Sequence, residues 1–353
     1  MSIRTEVRAT IATLKFLNIN LGLWQLFQLL RHMDTVIVRE LIKSYDGFLA
    51  IDGISFSIKK GEILGLLGPN GTGKTTTIKI LSGLLKPSAG TARIMGYDMV
   101  KIPLKVKRFI GVVPETSNLY PELTCFENLL FAGRLYGLSS DVVRSKSDEL
   151  LKIFNLQDKR NVYFGKLSGG MKRKLTLAAS LIHDPSVLFL DEPTTGLDVM
   201  SARALREIIQ SLKNKGIAIL LTTHYIEEAD RLCDRIAIIV KGKLITVDTP
   251  IALKQSIGAE RAVDIKIISC NSSIEKKLGQ LTSVNTIKKR EDCLRFSIAD
   301  LDVFLSEFLV FSRENGLHIE AINTVIPSLE DAFVEITGLK QEIMIEENTG
   351  VTK

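Results

Sequence analysis

The sequence predicts an α/β chain, a parallel-sheet core followed by a small α+β domain. Three observations carry this. Glu62-Ile63-Leu64-Gly65-Leu66-Leu67 is a buried-type strand that runs into a glycine loop and a helix. From Met171 to about Leu221, helical and apolar strand patterns alternate, the rhythm of a parallel sheet. Near Gly258 the order changes to β-α-β-β-α-β, the ferredoxin-like arrangement. A length of 353 residues suits about two domains.

Taken in order, Val36-Ile37-Val38 opens a β-rich stretch that runs through the alternating Ile54-Ser55-Phe56-Ser57-Ile58, and Lys59-Lys60-Gly61 reads as a turn. The helix after Lys74 carries Ile78, Leu81, Leu84 and Leu85 at helical spacing and stops at the breakers Lys86-Pro87-Ser88-Ala89-Gly90. From about Glu122 to Asn155 the pattern is helical, which predicts an α-helical subdomain. Then come a helix over 171–182, a strand over 187–190, a helix over 202–213, a strand over 217–222, and two strands split by Lys241-Gly242. In the last third, Ala262–Ile267 alternates. It is followed by a helical segment around Ser273–Leu281, strands near 284–289 and 293–298, a helix from Leu301 to about Asn315 and a strand near 317–325. Ser328-Leu329-Glu330-Asp331 has capping-box spacing and opens a final helix. The expected division is therefore an N-terminal extension (1–33), a core domain (34–258) whose helical subdomain spans about 115–180, an accessory domain (259–340) and a polar tail (341–353).

Composition narrows the class. The net charge of +6 is mild and compatible with a surface near anionic lipid, a balance that many soluble proteins share. Cys125, Cys233, Cys270 and Cys293 form no C-x-x-C pair, which argues against a disulfide framework or zinc site and for a reducing compartment. The four histidines lack metal-ligand spacing, and His183 reads as a cap or surface residue. No apolar run approaches the ~20 residues that span a bilayer, so any membrane pore would belong to another polypeptide. Residues 1–32 are rich in Leu and basic; a surface helix, a targeting segment and a start codon placed upstream of Met33 all fit.

The chemistry lies in three stretches. Gly68-Pro69-Asn70-Gly71-Thr72-Gly73-Lys74-Thr75 fits the phosphate-binding pattern G-x-x-x-x-G-K-[ST] without mismatch, and Thr76 continues it into the helix. Its backbone N–H groups and helix N-terminus face phosphates, Lys74 adds a point charge, and Thr75 can ligate Mg²⁺. Leu190-Asp191-Glu192 places two carboxylates at a strand's C-terminal end. Neighbouring side chains of an extended chain point different ways, so Asp191 can reach the metal while Glu192 orients or deprotonates water. Such general-base help is worth roughly 10²–10⁴ in rate. Between these stretches stands Leu167-Ser168-Gly169-Gly170-Met171.

In that order the three elements resemble the ATP-binding cassette (ABC) ATPases, with high specificity from about Thr35 to Leu253. The resemblance implies a P-loop core with an antiparallel β subdomain and a helical subdomain, Mg²⁺-dependent ATP hydrolysis, and a head-to-tail pair of copies. In such a pair Ser168, Gly169 and Gly170 of one copy close over the ATP held by the other. It also implies γ-phosphate contact by His224, an interface role for Asp198 in Thr195-Gly196-Leu197-Asp198, and stacking of Tyr45 against adenine. Lys74, Glu192 and His224 are the catalytic candidates; Thr75, Asp191 and Glu115 are the metal candidates. Glu115 departs from the family, which usually has glutamine there; a carboxylate could still ligate Mg²⁺ but would repel the γ-phosphate.

The segment Pro327–Phe333 resembles the tail of daunorubicin-resistance-type exporter ATPases. This implies an exporter of drug or antibiotic, lipid or polysaccharide that sits on the cytoplasmic face of the membrane, works with a separate permease and needs no nucleic acid. The alternative is a soluble ABC ATPase acting on ribosomes or DNA. Single-cassette length and the absence of a long coiled coil between residues 86 and 166 speak against it.

Overall fold

The structure, a computed structural model, describes residues 34–256, 261–268, 274, 277–289, 293–325 and 328–339. The readings of residues 1–33, the boundary at Gly258, part of the helix around 273–281 and the tail 341–353 lie outside the described residues. Two compact units emerge, one ending at Pro250 and the other spanning Ile251–Leu339.

The first unit holds two sheets. Strands β1 (Asp34–Tyr45), β2 (Phe48–Lys59), β4 (Ala89–Ile94) and β5 (Tyr97–Asp98) form an antiparallel sheet in the order β2-β1-β4-β5. The second sheet has six strands. These are β3 (Ile63–Leu67), β6 (Ile110–Val113), β7 (Val187–Asp191), β8 (Ala218–Thr223), β9 (Arg235–Val240) and β10 (Lys243–Asp248), ordered β10-β9-β3-β8-β7-β6. All of its pairings are parallel except the β9–β10 edge. Every residue of β3, β7 and β8 is buried, as expected of parallel strands covered on both faces. Val38, Ile54 and Ile94 of the first sheet share one core with Leu66, Phe189 and Leu220 of the second.

Sequence reading missed β4, because Pro87 to Gly90 looked like a loop. A bulge explains the miss: register slips between Arg39 and Ile42 of β1, and Gly90 takes φ 83° against it. A Cβ on Gly90 would lie 2.1 Å from the Glu40 carbonyl, so a loop-type residue is required inside a strand.

The helices of this unit are α1 (Lys74–Leu81), α2 (Pro103–Lys107), α3 (Cys125–Leu135), α4 (Ser140–Ile153), α5 (Gly169–Leu181), α6 (Val199–Asn214) and α7 (Ile226–Leu232). Helix α3 starts in a capping box, Thr124 with Glu127. The buried Asn128 carboxamide then ties the helix to the Tyr120, Leu123 and Thr124 carbonyls. His183, read from sequence as a cap or surface residue, is instead half-buried. It stacks on Tyr136 with ring centroids 3.5 Å apart, and its Nε2 lies 2.9 Å from the Ile110 carbonyl.

A short helix, α8 (Pro250–Ser256), leads to the second unit's β11 (Arg261–Ile268), β12 (Val284–Lys289), β13 (Leu294–Ile298), α9 (Leu301–Glu314), β14 (His318–Val325) and α10 (Leu329–Thr337). Its sheet order, β12-β13-β11-β14, is antiparallel throughout and matches a split β-α-β arrangement. Phe296, Phe304 and Phe308 pack at centroid separations of 5.2–5.7 Å in the core. Across β11 and β13, Arg295 forms a two-pronged ion pair with Asp264 at 2.7 Å on each arm. No helix among the described residues is long and apolar enough to cross a membrane.

Candidate active site

Strands β3, β7 and β8 are neighbours, and all three point their C-terminal ends the same way. The loop 68–73, the pair Asp191-Glu192 and His224 are therefore brought together from three distant parts of the sequence. Gly68 must be glycine, since a Cβ would stand 2.2 Å from the Ile239 carbonyl of the adjacent strand. Gly73 adopts φ 99°, open to glycine at no steric cost, and α1 starts immediately after it. Thr72 braces the loop by donating to the Pro69 carbonyl.

Lys74, only 5% exposed, donates to the Gly68 and Pro69 carbonyls at 2.7 and 3.0 Å and stands 3.7 Å from Glu192 Oε1. Burial lowers its pKa, while Glu192 and Asp191 oppose the shift. Asp191 Oδ1 accepts from Thr75 at 3.2 Å and from Thr222 at 2.5 Å. Glu192 has φ 46°, a left-handed conformation, with its N–H held by the Thr222 carbonyl at 3.1 Å. Its Oε2 accepts from Thr195 at 3.3 Å.

A cavity of about 260 Å³ opens over this group, lined by Tyr45, Asn70, Gly71, Gly73, Lys74, Thr75, Thr76, Glu115, Glu192 and His224. Phe48, Ala50 and Thr195, which sequence reading did not select, complete the wall. Ser168, Gly169, Gly170 and Asp198 do not line it. They belong to a second locality, where Asp198 caps α6 through the Ser201 N–H. Gly170 fits there because it lacks a Cβ, which would meet the Ser201 side chain at 2.4 Å.

Three atoms deep in the cavity, Glu192 Oε1 and both nitrogens of His224, are buried with no hydrogen-bond partner among the described residues. Buried polar groups are rarely left so, and these three suit a ligand that offers both donors and acceptors. Three carboxylates, those of Glu115, Asp191 and Glu192, surround a single lysine. A triphosphate would add further negative charge, and the hard oxygens of Thr75 and Asp191 suit Mg²⁺ beside it.

Residues 51–195 match the family described as ABC transporter. The linearmycin resistance ATP-binding protein LnrL of Bacillus subtilis (strain 168) is 35% identical over 84% of this chain and 96% of its own length. The chain belongs to the ABC transporter ATP-binding family. The daunorubicin resistance ATP-binding protein DrrA2 of Streptomyces coeruleorubidus is a second relative, 37% identical over 88% of this chain and 98% of its own length. Among solved structures, an ATP-binding subunit of an ABC transporter superposes with a TM-score of 0.59 and 33% identity, covering 64% of this chain and 93% of that one. This ABC subunit binds ATP with Mg²⁺ and hydrolyses it. Subunits of the family dimerise and work with a separate membrane permease.

Two further buried residues of the ABC core escaped sequence reading. Glu228 receives the Thr194 hydroxyl at 2.6 Å, and burial raises its pKa. Arg173 donates to the carbonyls of Asp191 and Glu192 themselves. Neither has a sequence signal: Arg173 sits in the basic run Lys172-Arg173-Lys174, and Glu228 follows another glutamate.

Proposed function

We propose that two copies of this chain, paired head to tail, hydrolyse two ATP molecules to drive export through a separate permease at the cytoplasmic face of the membrane. The observation that carries the pairing is the split described above. The cavity holds the glycine loop, Glu192 and His224, whereas Ser168, Gly170 and Asp198 of the same chain lie outside it. A second copy supplies the missing half. Helix α5 then turns its free N–H groups and positive dipole end towards the neighbour's γ-phosphate.

Within each site, Lys74 and the loop N–H groups hold the β- and γ-phosphates, and Tyr45 stacks on adenine. Thr75 and Asp191 would hold Mg²⁺, with Glu115 on the cavity wall, and the bound metal would supply charge to offset that of the phosphoryl oxygens. Glu192 orients the attacking water and takes its proton, and His224 holds the γ-phosphate. Loss of the γ-phosphate contacts loosens the pair.

Export is supported by the relatives' extent. The two resistance proteins are matched over nearly their full length, so the similarity continues past the cassette into the second unit. The cargo class we infer is a drug or antibiotic, a lipid or a polysaccharide. Tagged chain recovered from its host's membranes should carry a polytopic permease in stoichiometric amount, with ATP hydrolysis stimulated by that permease in liposomes. Recovery only with ribosomes or DNA would contradict the proposal.

A further inference from the structure

The guanidinium of Arg173, on α5 five residues after Ser168, is almost entirely buried, yet no carboxylate bonds to it among the described residues. Each donating nitrogen is spent on main-chain carbonyls. Nε donates to Pro193 at 2.8 Å; Nη2 donates to Asp191 at 2.7 Å and to Glu192 at 2.9 Å. Nη1 donates to Glu115 at 3.0 Å and to Pro114. All five N–H groups of the side chain thus have acceptors, and three segments meet at one cation: the helix carrying Ser168, the strand end carrying Asp191 and Glu192, and the loop carrying Glu115.

Three consecutive carbonyls, 191 to 193, can converge on one group only because the chain turns at Glu192, where φ is 46°. Such a backbone persists when its surroundings over-determine it. Here the Thr222 carbonyl holds the Glu192 N–H on one side, and Arg173 holds the flanking carbonyls on the other. The buried cation is balanced through space by Asp191, Glu115, Glu228 and Glu192, in descending order of effect. A lysine has no planar fork and cannot serve five acceptors at once.

We propose that Arg173 is a positioning residue that fixes the backbone of Glu192 and Glu115 to the helix bearing Ser168, so that the placement of that helix sets the aim of the hydrolytic carboxylate. The proposal rests on the reading of Glu192 as the residue that orients water.

The test compares Arg173→Gln and Arg173→Lys with the parent, alone and combined with Glu192→Gln, in full-length chain. Expected are Mg-ATP affinity within about threefold of the parent and kcat lowered about 10²-fold by Arg173→Gln, as a misplacement near 1 Å produces. Arg173→Lys should fall between the two. In the Glu192→Gln background, Arg173→Gln should lower the residual rate no further, because it acts through that carboxylate.

Parental kcat in Arg173→Gln would overturn the proposal. So would parallel losses of melting temperature, ATP affinity and kcat, or a further loss on top of Glu192→Gln. If Arg173→Gln does not fold, Arg173→Lys carries the comparison; if neither folds, the arginine serves folding and the proposal fails. Full activity in Glu192→Gln alone would instead remove the reading of Glu192, a result visible before Arg173 is touched.

Discussion

The carboxylate of Glu192 lies 3.0 Å from Nδ1 of His224, out of line for a hydrogen bond, at the ends of two neighbouring parallel strands. Thr195 occupies the same carboxylate oxygen, so Oε1 is left facing the cavity near Lys74. In the proposed mechanism, that arrangement offers one acceptor and one imidazole to the attacking water.

Glu192→Gln keeps the shape and removes the proposed base. Steady-state hydrolysis should fall by roughly 10²–10⁴, about 3–5 kcal/mol of barrier, while Mg-ATP affinity stays near the parent's. Gel filtration with Mg-ATP should show this variant as a dimer. A monomer at saturating nucleotide would count against the paired site.

Glu115 lines the cavity, and its own carbonyl is fixed by Arg173. Glu115→Gln removes a negative charge from the wall of the proposed phosphate site and adds a donor. ATP affinity should stay near normal, and the hydrolysis rate or its coupling to transport should change. Identical turnover and identical transport in both forms would take Glu115 out of the mechanism.

Much of this site was legible because its chemistry is contiguous in sequence. The loop 68–75 and Leu190-Asp191-Glu192 each combine a strand pattern with residue types suited to the proposed phosphate and metal binding. The sheet order was not legible: β3 lies between β8 and β9, a crossover that no local pattern encodes. Strand β4 was hidden by a bulge that demands glycine, and β6 was too short to stand out beside the Pro114 that follows it. Arg173 was invisible for a different reason. Its partners are backbone carbonyls, which carry no side-chain signature, and Lys172 and Lys174 next to it suggest a solvated face.

Gly68→Ala tests the contact between the loop and β9. The added methyl would meet the Ile239 carbonyl at 2.2 Å, a backbone atom that cannot rotate away. A stability loss of about 1–3 kcal/mol is expected in chemical denaturation, together with weakened ATP binding. Unchanged stability and binding would mean that the strand ends can spread.

Glu307 of α9 accepts from the N–H and hydroxyl groups of both Thr282 and Ser283. These bonds, the Ser283 hydroxyl foremost, lower its pKa from 4.5 to about 2. A depressed carboxyl pKa stabilises the fold above the unfolded value and loses that contribution as pH falls through the folded one. Amide exchange from β13 and α9 in the full chain should therefore accelerate as pH drops from about 4.5 towards about 2, beyond the intrinsic exchange trend. Glu307→Gln should flatten that dependence; an unaltered profile would show that the four bonds contribute nothing.

The shared site is tested most directly by mixing two inactive forms, Lys74→Ala and Ser168→Arg. Each homodimer has both sites damaged, whereas a mixed dimer combines the intact loop of one chain with the intact Ser168 of the other. Random pairing makes half of the dimers mixed, with one good site in two, so ATP hydrolysis should recover to about a quarter of the parent rate. A mixture no more active than its separate components, with mixed dimers shown to form, would contradict the account.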